Sequence, residues 1–388
     1  MTNNNIKIAL FGALIVAMII PFNGMSSAYS EQTNRDRTEE LRAKMIENQA
    51  EIENVRAIVE ERNNLIEQIN SGKASIPENA QNRIDELNHE LDRLQAIAHQ
   101  DNIPEAQLQK MMKEQAQFEK ELFKSDLKDF VTSIGIHLDT KEIQIGLNQD
   151  KVNSSNIAAK ISQISEIMPE GAQWHVVLSD TAVKFSCTDQ QLCVPAIGGN
   201  EIRMEDGKLC SFGYKATKSG VTGFVTAGHC FDGKVGQDVD DEANDFLAII
   251  NQETHSWGTD CDCGWAAGNT NEFDNKVYIS NNNTPDIDST VSTSNQQNDF
   301  ITKSGRTTGV TTGQVSAINQ TVLVWDYYVT GLVRSNTPMS PGDSGGTVVD
   351  TSTHTDLYGV AAAGDAWGNY HMPVEKMNSK LGTTAVLG

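Results

Sequence analysis

The sequence predicts an all-β sandwich or barrel over residues 194–388, behind a helical region at 31–127 and a small α/β unit at 128–193. Three observations carry this. Residues 34–125 are rich in Glu, Gln, Lys, Arg, Asn and Leu, nearly free of glycine, and apolar at helical spacing. Residues 128–187 mix alternating and helical runs. From 194 onward Gly, Thr, Ser, Val and Asn dominate, and short β-type runs are separated by Gly, Asn and Asp, the pattern of many short strands.

In the helical region, Met45, Ile52, Val59 and Ile66 recur every seven residues. Leu41, Val55 and Ile69 fill companion positions, with Asn48 and Arg62 as polar interruptions, which is a coiled-coil-like helix. Asn70-Ser71-Gly72 stops it, and Pro77-Glu78 starts a second helix with Ile84, Leu87, Leu91 and Leu94 on one face. Pro104 opens a third, running to about Leu127. Such a region either binds a partner or packs as a hairpin on its own chain. In the α/β unit, 142–147 alternates like a strand, 156–168 has helical spacing, and Trp174–Leu178 and Val183–Phe185 read as strands. The β runs beyond it include 223–225, 277–279, 321–325 and 346–349.

The chain has 388 residues, 30 basic and 52 acidic, a net charge of −22, and 38% hydrophobic residues. That length suits two or three domains. The acidic balance argues against nucleic acid as a partner, since phosphate binding needs clustered Lys and Arg. It argues equally against an anionic lipid surface. Residues 1–30 read as a secretory signal: Lys7, an apolar run from Ile8 to Ile20, Pro21, then Ala28-Tyr29-Ser30 before a cut at Glu31. The alternative is an uncleaved membrane anchor, for which the run is short. Export predicts a secreted protein whose six cysteines are disulfide candidates. No Cys/His spacing resembles a zinc site, and no metal or cofactor is expected.

Chemistry concentrates in three segments: Thr226–Cys230, Asp260–Ala266 and Pro341–Gly346. Acyl transfer needs a hydroxyl nucleophile, a base for its proton, a carboxylate to orient the imidazole, and N–H donors aimed at the oxyanion. Glycines around Ser344 allow a turn that aims the Gly342 and Ser344 N–H groups at one point. His229 ends a strand behind the small pair Ala227-Gly228.

Together these segments resemble the chymotrypsin-like serine proteases, in the α-lytic protease and streptogrisin branch. Gly198-Gly199, Leu209–Gly213 and Gly223–Cys230 are similar to the start of a mature enzyme, Phe300–Gly313 with Ser304–Gly309 to its strand-turn segment, and Met339–Gly346 to its nucleophile segment. The resemblance covers about 194–388. It implies a double β-barrel with the site between the barrels, and an N-terminal pro-region that assists folding and is then removed. By it, His229 is the base, Asp262 the orienting carboxylate and Ser344 the nucleophile, with Gly342 and Ser344 forming the oxyanion hole. Asp262 is preferred to Asp260 because Cys263-Gly264-Trp265-Ala266 follows it as the family's small and apolar positions do. His255 and His371 lack that context and read as surface histidines. Cys210 and Cys230 match the family disulfide beside the base. Met339, Ala361, Ala362, Ala363 and Gly364 match the pocket and the strand that pairs with substrate. The implied partners are a polypeptide substrate and the chain's own pro-region, as folding aid and inhibitor.

The departures are informative. Thr302 and Thr312 stand where one family disulfide is expected, and Thr337-Pro338 lacks the cysteine of another. Ala362 replaces a serine that contacts the aspartate, and Ala363 replaces a glycine. No acid marks the pocket base, which favours an apolar P1 residue. Cys187 and Cys193 are candidates for a local pair near the junction, their pairing left open. Cys261 and Cys263 flank Asp262 as either a strained C-x-C bridge or free thiols. Asp238, Asp240, Asp241, Glu242 and Asp245 read as a solvated loop, with calcium as the alternative. Sequons stand at Asn153, Asn282 and Asn319. The sequence therefore predicts a secreted, self-processing serine endopeptidase. The rival is a weak or inactive protease-like scaffold that binds partners through its helices.

Overall fold

The computed structural model describes residues 31–70, 79–148, 150–152, 156–179, 183–184, 195–241, 245–254, 260–280, 283–324, 327–365 and 368–388, with side chains from residue 49 onward except at 183–184. The signal segment, Cys187, Cys193, His255, Glu242 and the sequons at Asn153 and Asn282 lie outside the described residues.

Helices α1 (Glu31–Asn70) and α2 (Ala80–Ala98) lie antiparallel. Arg83 meets Glu61 at 2.7 Å toward the turn, and Ile52, Val55 and Val59 pack with Leu91 and Leu94 away from it. The pair does not close on itself. Phe300 of the β region completes the same apolar cluster. Arg62, an interruption in the heptad pattern, is 1% exposed and reaches the Ser352 carbonyl and the His354 ring. Helix α3 (Glu105–Leu122) follows Pro104 but stops short of Leu127, because Ser125 accepts from Leu127 N and opens a tighter turn at Asp126–Asp129.

The α/β unit comprises strands Val131–His137, Glu142–Asn148 and Trp174–Ser179 with α4 (Ile157–Ile167). Its core joins Ile134, Ile145 and Leu147 to Ile161 and Ile164. It has no sheet of its own. Val131–His137 pairs antiparallel with Gly309–Val324, Ser133 opposite Val322, so both belong to one eleven-stranded sheet.

Six strands of that sheet close on themselves. Phe300–Gly305 pairs with Gly309–Val324 on one side and Thr347–Asp350 on the other. The circuit continues through Asp356–Asp365, Gly368–Pro373 and Tyr327–Ser335 back to Gly309–Val324. Helix α5 (Val374–Leu381) packs Val374, Met377 and Leu381 into this barrel's cluster. The other barrel is an eight-stranded sheet that includes Tyr214–Lys218, Val221–Thr226, Phe246–Thr254 and Cys263–Gly268. Strand alternation divides its side chains. Phe224 packs inside with Phe212, Phe231 and Phe273, while Val225 joins the neighbouring barrel's cluster with Tyr214 and Trp265. The barrels thus share a buried seam.

Candidate active site

His229 sits on a short turn, Gly228–Phe231, directly after strand Val221–Thr226. The disulfide Cys210–Cys230 pins that turn. Gly228 is required there, since a Cβ would stand 2.6 Å from Cys263 N and 2.7 Å from Thr254 O. Asp262 immediately precedes strand Cys263–Gly268. Its Oδ1 accepts from His229 N at 2.7 Å, and its Oδ2 accepts from Nδ1 at 2.7 Å. A carboxylate only accepts, so Nδ1 carries the hydrogen, and the neutral ring offers its Nε2 lone pair to Ser344 Oγ at 2.8 Å. All three are buried, at 1%, 4% and 0% exposure. Backbone and ring are held by one carboxylate, which fixes both the position and the tautomer of the imidazole.

The loop that carries Ser344 is built by two glycines with positive φ, Gly342 at 99° and Gly345 at 86°, a region that favours glycine. Asp343 N donates to Ser340 O at 3.0 Å, and Gly346 N donates to Asp343 O at 2.7 Å. Ser211 Oγ donates to Gly342 O, and Ser211 N donates to Ser344 O, each at 2.8 Å. The first barrel therefore grips the loop of the second.

The remaining candidates are placed as follows. Asp260 faces away, paired at 2.6 Å with Lys380, whose ammonium holds its carboxyl below the usual range. Ala361 lies behind the Ser344 loop: its N donates to Gly346 O at 2.8 Å, and its O accepts from Gly345 N at 2.7 Å. Met339 joins an apolar cluster with Val348, Tyr358 and Ala361. Ala362 is buried. Ala363 and Gly364 pair antiparallel with Lys184 and Val183. Cys261 and Cys263 bring their sulfurs together on either side of Asp262.

Two readings need correction. His371 is not a surface histidine. Strand Gly368–Pro373 is covered on both faces from Tyr370 onward, so His371 is buried, its Nε2 meets Gln296 Oε1 at 2.8 Å, and burial pushes its pKa down to about 3. The acidic run is not wholly solvated either. Asp241 is buried, its Oδ1 accepting from Asp245 N at 2.9 Å, while desolvation and then neighbouring carboxylates raise Asp240.

No family model matches the chain. It is 32% identical over 196 residues to glutamyl endopeptidase 2 of Streptomyces griseus, spanning 49% of this chain and 100% of that protein. It is 27% identical over 196 residues to streptogrisin-C of the same organism, where the match spans 49% of this chain and 40% of the relative's length. Among solved structures, protease A of Thermobifida fusca is 28% identical with a TM-score of 0.42, covering 50% of this chain and 99% of that one.

Proposed function

Because this chain belongs to the chymotrypsin-like serine endopeptidases of the streptogrisin branch, we propose that it is a secreted proenzyme that cleaves peptide bonds at Ser344 and processes itself. The observation that carries this is the unbroken hydrogen-bond chain from Asp262 through His229 to Ser344. His229 takes the Ser344 proton as Oγ attacks the scissile carbonyl, and returns it to the leaving amine. Asp262 stabilises the imidazolium that forms between these steps. Gly342 and Ser344 N–H supply the oxyanion donors. Water then repeats the sequence on the acyl-enzyme.

Residues 31 to about 193 are the proposed pro-region, acting as folding aid and inhibitor. Its strand Val183–Lys184 lies antiparallel on Ala363–Gly364, as a substrate backbone would, which supports that reading. An apolar P1 residue is the proposed preference, since Met339, assigned to the pocket by the resemblance, is apolar and packs in an apolar cluster. The Streptomyces griseus relative is named for glutamyl bonds, and a charged carboxylate placed beside an apolar side chain such as Met339 would lose hydration. Peptides differing only at P1, Leu against Glu, would decide between them.

The test of the reaction itself is full-length protein made in an oxidising compartment, beside Ser344→Ala. Treatment with a fluorophosphonate probe, followed by intact-mass analysis, should give one labelled fragment of about 195 residues, absent from the variant. The variant should lose about 10⁶-fold in kcat. Folded protein that is neither labelled nor cut, even after trace treatment with an unrelated protease, would favour the scaffold reading.

A further inference from the structure

Lys303 lies in strand Phe300–Gly305, whose six residues are all buried. Its Nζ donates to Thr308 Oγ1 at 2.6 Å and to Gly309 O at 2.8 Å, and stands 3.2 Å from Asp343 Oδ2. Asp343 is the residue before the nucleophile and is fully buried. Its Oδ1 accepts from Thr307 N at 2.9 Å and Thr308 N at 3.0 Å. Its Oδ2 accepts from Thr308 Oγ1 at 2.6 Å and Ser340 N at 2.9 Å. This carboxylate therefore ties the 307–309 turn to the loop that carries Gly342 and Ser344. The other cation on that turn, Arg306, is committed to Glu201, with Nε at 2.8 Å and Nη2 at 2.6 Å from Oε2, and Arg203 holds the second oxygen of Glu201 at 2.9 Å. Among the described residues, Lys303 is the charged group paired with Asp343.

We propose that Lys303 is a positioning residue: its ammonium balances Asp343 and keeps the oxyanion loop in shape, and loss of its proton shuts the enzyme down from the alkaline side. The inference rests on the protease reading above. A buried carboxylate that loses its counter-charge is costly to keep ionised in place. The loop then relaxes toward water, and the N–H groups of Gly342 and Ser344 no longer converge. Burial pushes the Lys303 amine down to about 8, with Asp343 opposing that only in part. An arginine at this position would stay charged throughout the working range, whereas a lysine makes the charge conditional.

The test is the pH profile of peptide hydrolysis by processed full-length protein, with active sites counted by burst titration. Wild type should lose kcat about tenfold per pH unit above about 8 at constant KM, because the loss falls on the transition state. Lys303→Arg should carry the plateau at least one unit higher. Lys303→Met should be about 100-fold slower at every pH, with no alkaline limb, the cost of a misplaced oxyanion donor. An identical alkaline limb in wild type and Lys303→Arg would overturn the proposal. Should the variants misfold, the Lys303 side-chain resonance of ¹³C-labelled Ser344→Ala protein decides. A midpoint near 8 is expected, and an amine still charged at pH 10 would overturn the proposal. Hydrolysis undiminished in Ser344→Ala would overturn the protease reading instead, a result the lysine titration would not reproduce.

Discussion

In the first barrel, Cys210–Cys230 closes a loop across 20 positions beside His229. In the second, Thr302 and Thr312 face each other with hydroxyls 3.1 Å apart, Thr351 Oγ1 adds a contact at 3.2 Å, and no covalent bond joins them. A helix from the proposed pro-region crosses there instead. Arg56 Nε donates to Thr312 O at 2.7 Å and Nη2 to Asn336 O at 3.4 Å, bridging two segments of the barrel. Phe300 packs among Val55, Val59, Leu91 and Leu94, and its N donates to Gln95 Oε1 at 2.8 Å. The difference teaches that two fasteners in one molecule can obey different physics. A disulfide acts mainly by restricting the unfolded chain, and it persists after cleavage elsewhere. A docked helix acts only while docked.

Four changes would break or sharpen this contrast. Phe300→Ala should have the largest effect, about 3–5 kcal/mol. It should also release the α1–α2 hairpin to proteolysis while leaving the first barrel protected from hydrogen exchange. Breaking the disulfide with Cys210→Ser and Cys230→Ser should cost about 3 kcal/mol and show the reverse pattern. Arg56→Ala should cost about 1.5–3 kcal/mol, the range for hydrogen bonds to a charged group, read as a lower denaturation midpoint at unchanged m-value. Equal loss of protection in both barrels after any of these would erase the distinction.

Acid should give the smallest change. His354, beneath the hairpin against Arg62, and His371, inside the barrel, are each pushed down by burial to about 3. The unfolded chain then binds more protons than the folded one between about 3 and 6.5, so stability falls as pH drops through that window. From pH 6.5 to 5.5 the loss is about 1 kcal/mol per histidine. His354→Gln should remove the part that belongs to hairpin docking, and His371→Gln the part that belongs to the barrel. His99 works the other way. Its hydrogen bond to Asp299 raises it, so that contact strengthens docking at low pH and fades as pH rises through the raised value. Melting curves across pH 4–8 would resolve the two signs.

The site was legible in the sequence because its parts are local and chemically narrow: glycines flanking Ser344, a cysteine after His229, and a small-then-apolar run after Asp262. Helix positions were legible for the same reason, since Ile84, Leu87, Leu91 and Leu94 mark one face within nineteen residues. What escaped depends on partners far along the chain. Pairing of Val131–His137 with Gly309–Val324 has no local signature. Lys303 lies within the strand-turn segment Phe300–Gly313 but was given no role there; it is a lone cation inside an otherwise uncharged strand, which reads as a surface residue until Asp343 is placed beside it. Arg62 was visible, as a charge in a heptad core position, but its meaning lay in Ser352 and His354 on another domain. His371 was misread because a histidine in a polar stretch such as Gly368-Asn369-Tyr370 gives no hint of Gln296.

Val183–Lys184 reaches Ala363–Gly364 without leaving its own chain. Tethering makes that docking unimolecular, so dilution does not undo it, and a free peptide competes against a local strand concentration of about millimolar. Once the tether is cut, the same strand becomes a ligand that dilution can remove. A single backbone cleavage thus exchanges a fixed local concentration for a variable bulk one, and the volume into which the molecule is released sets how open its cleft becomes.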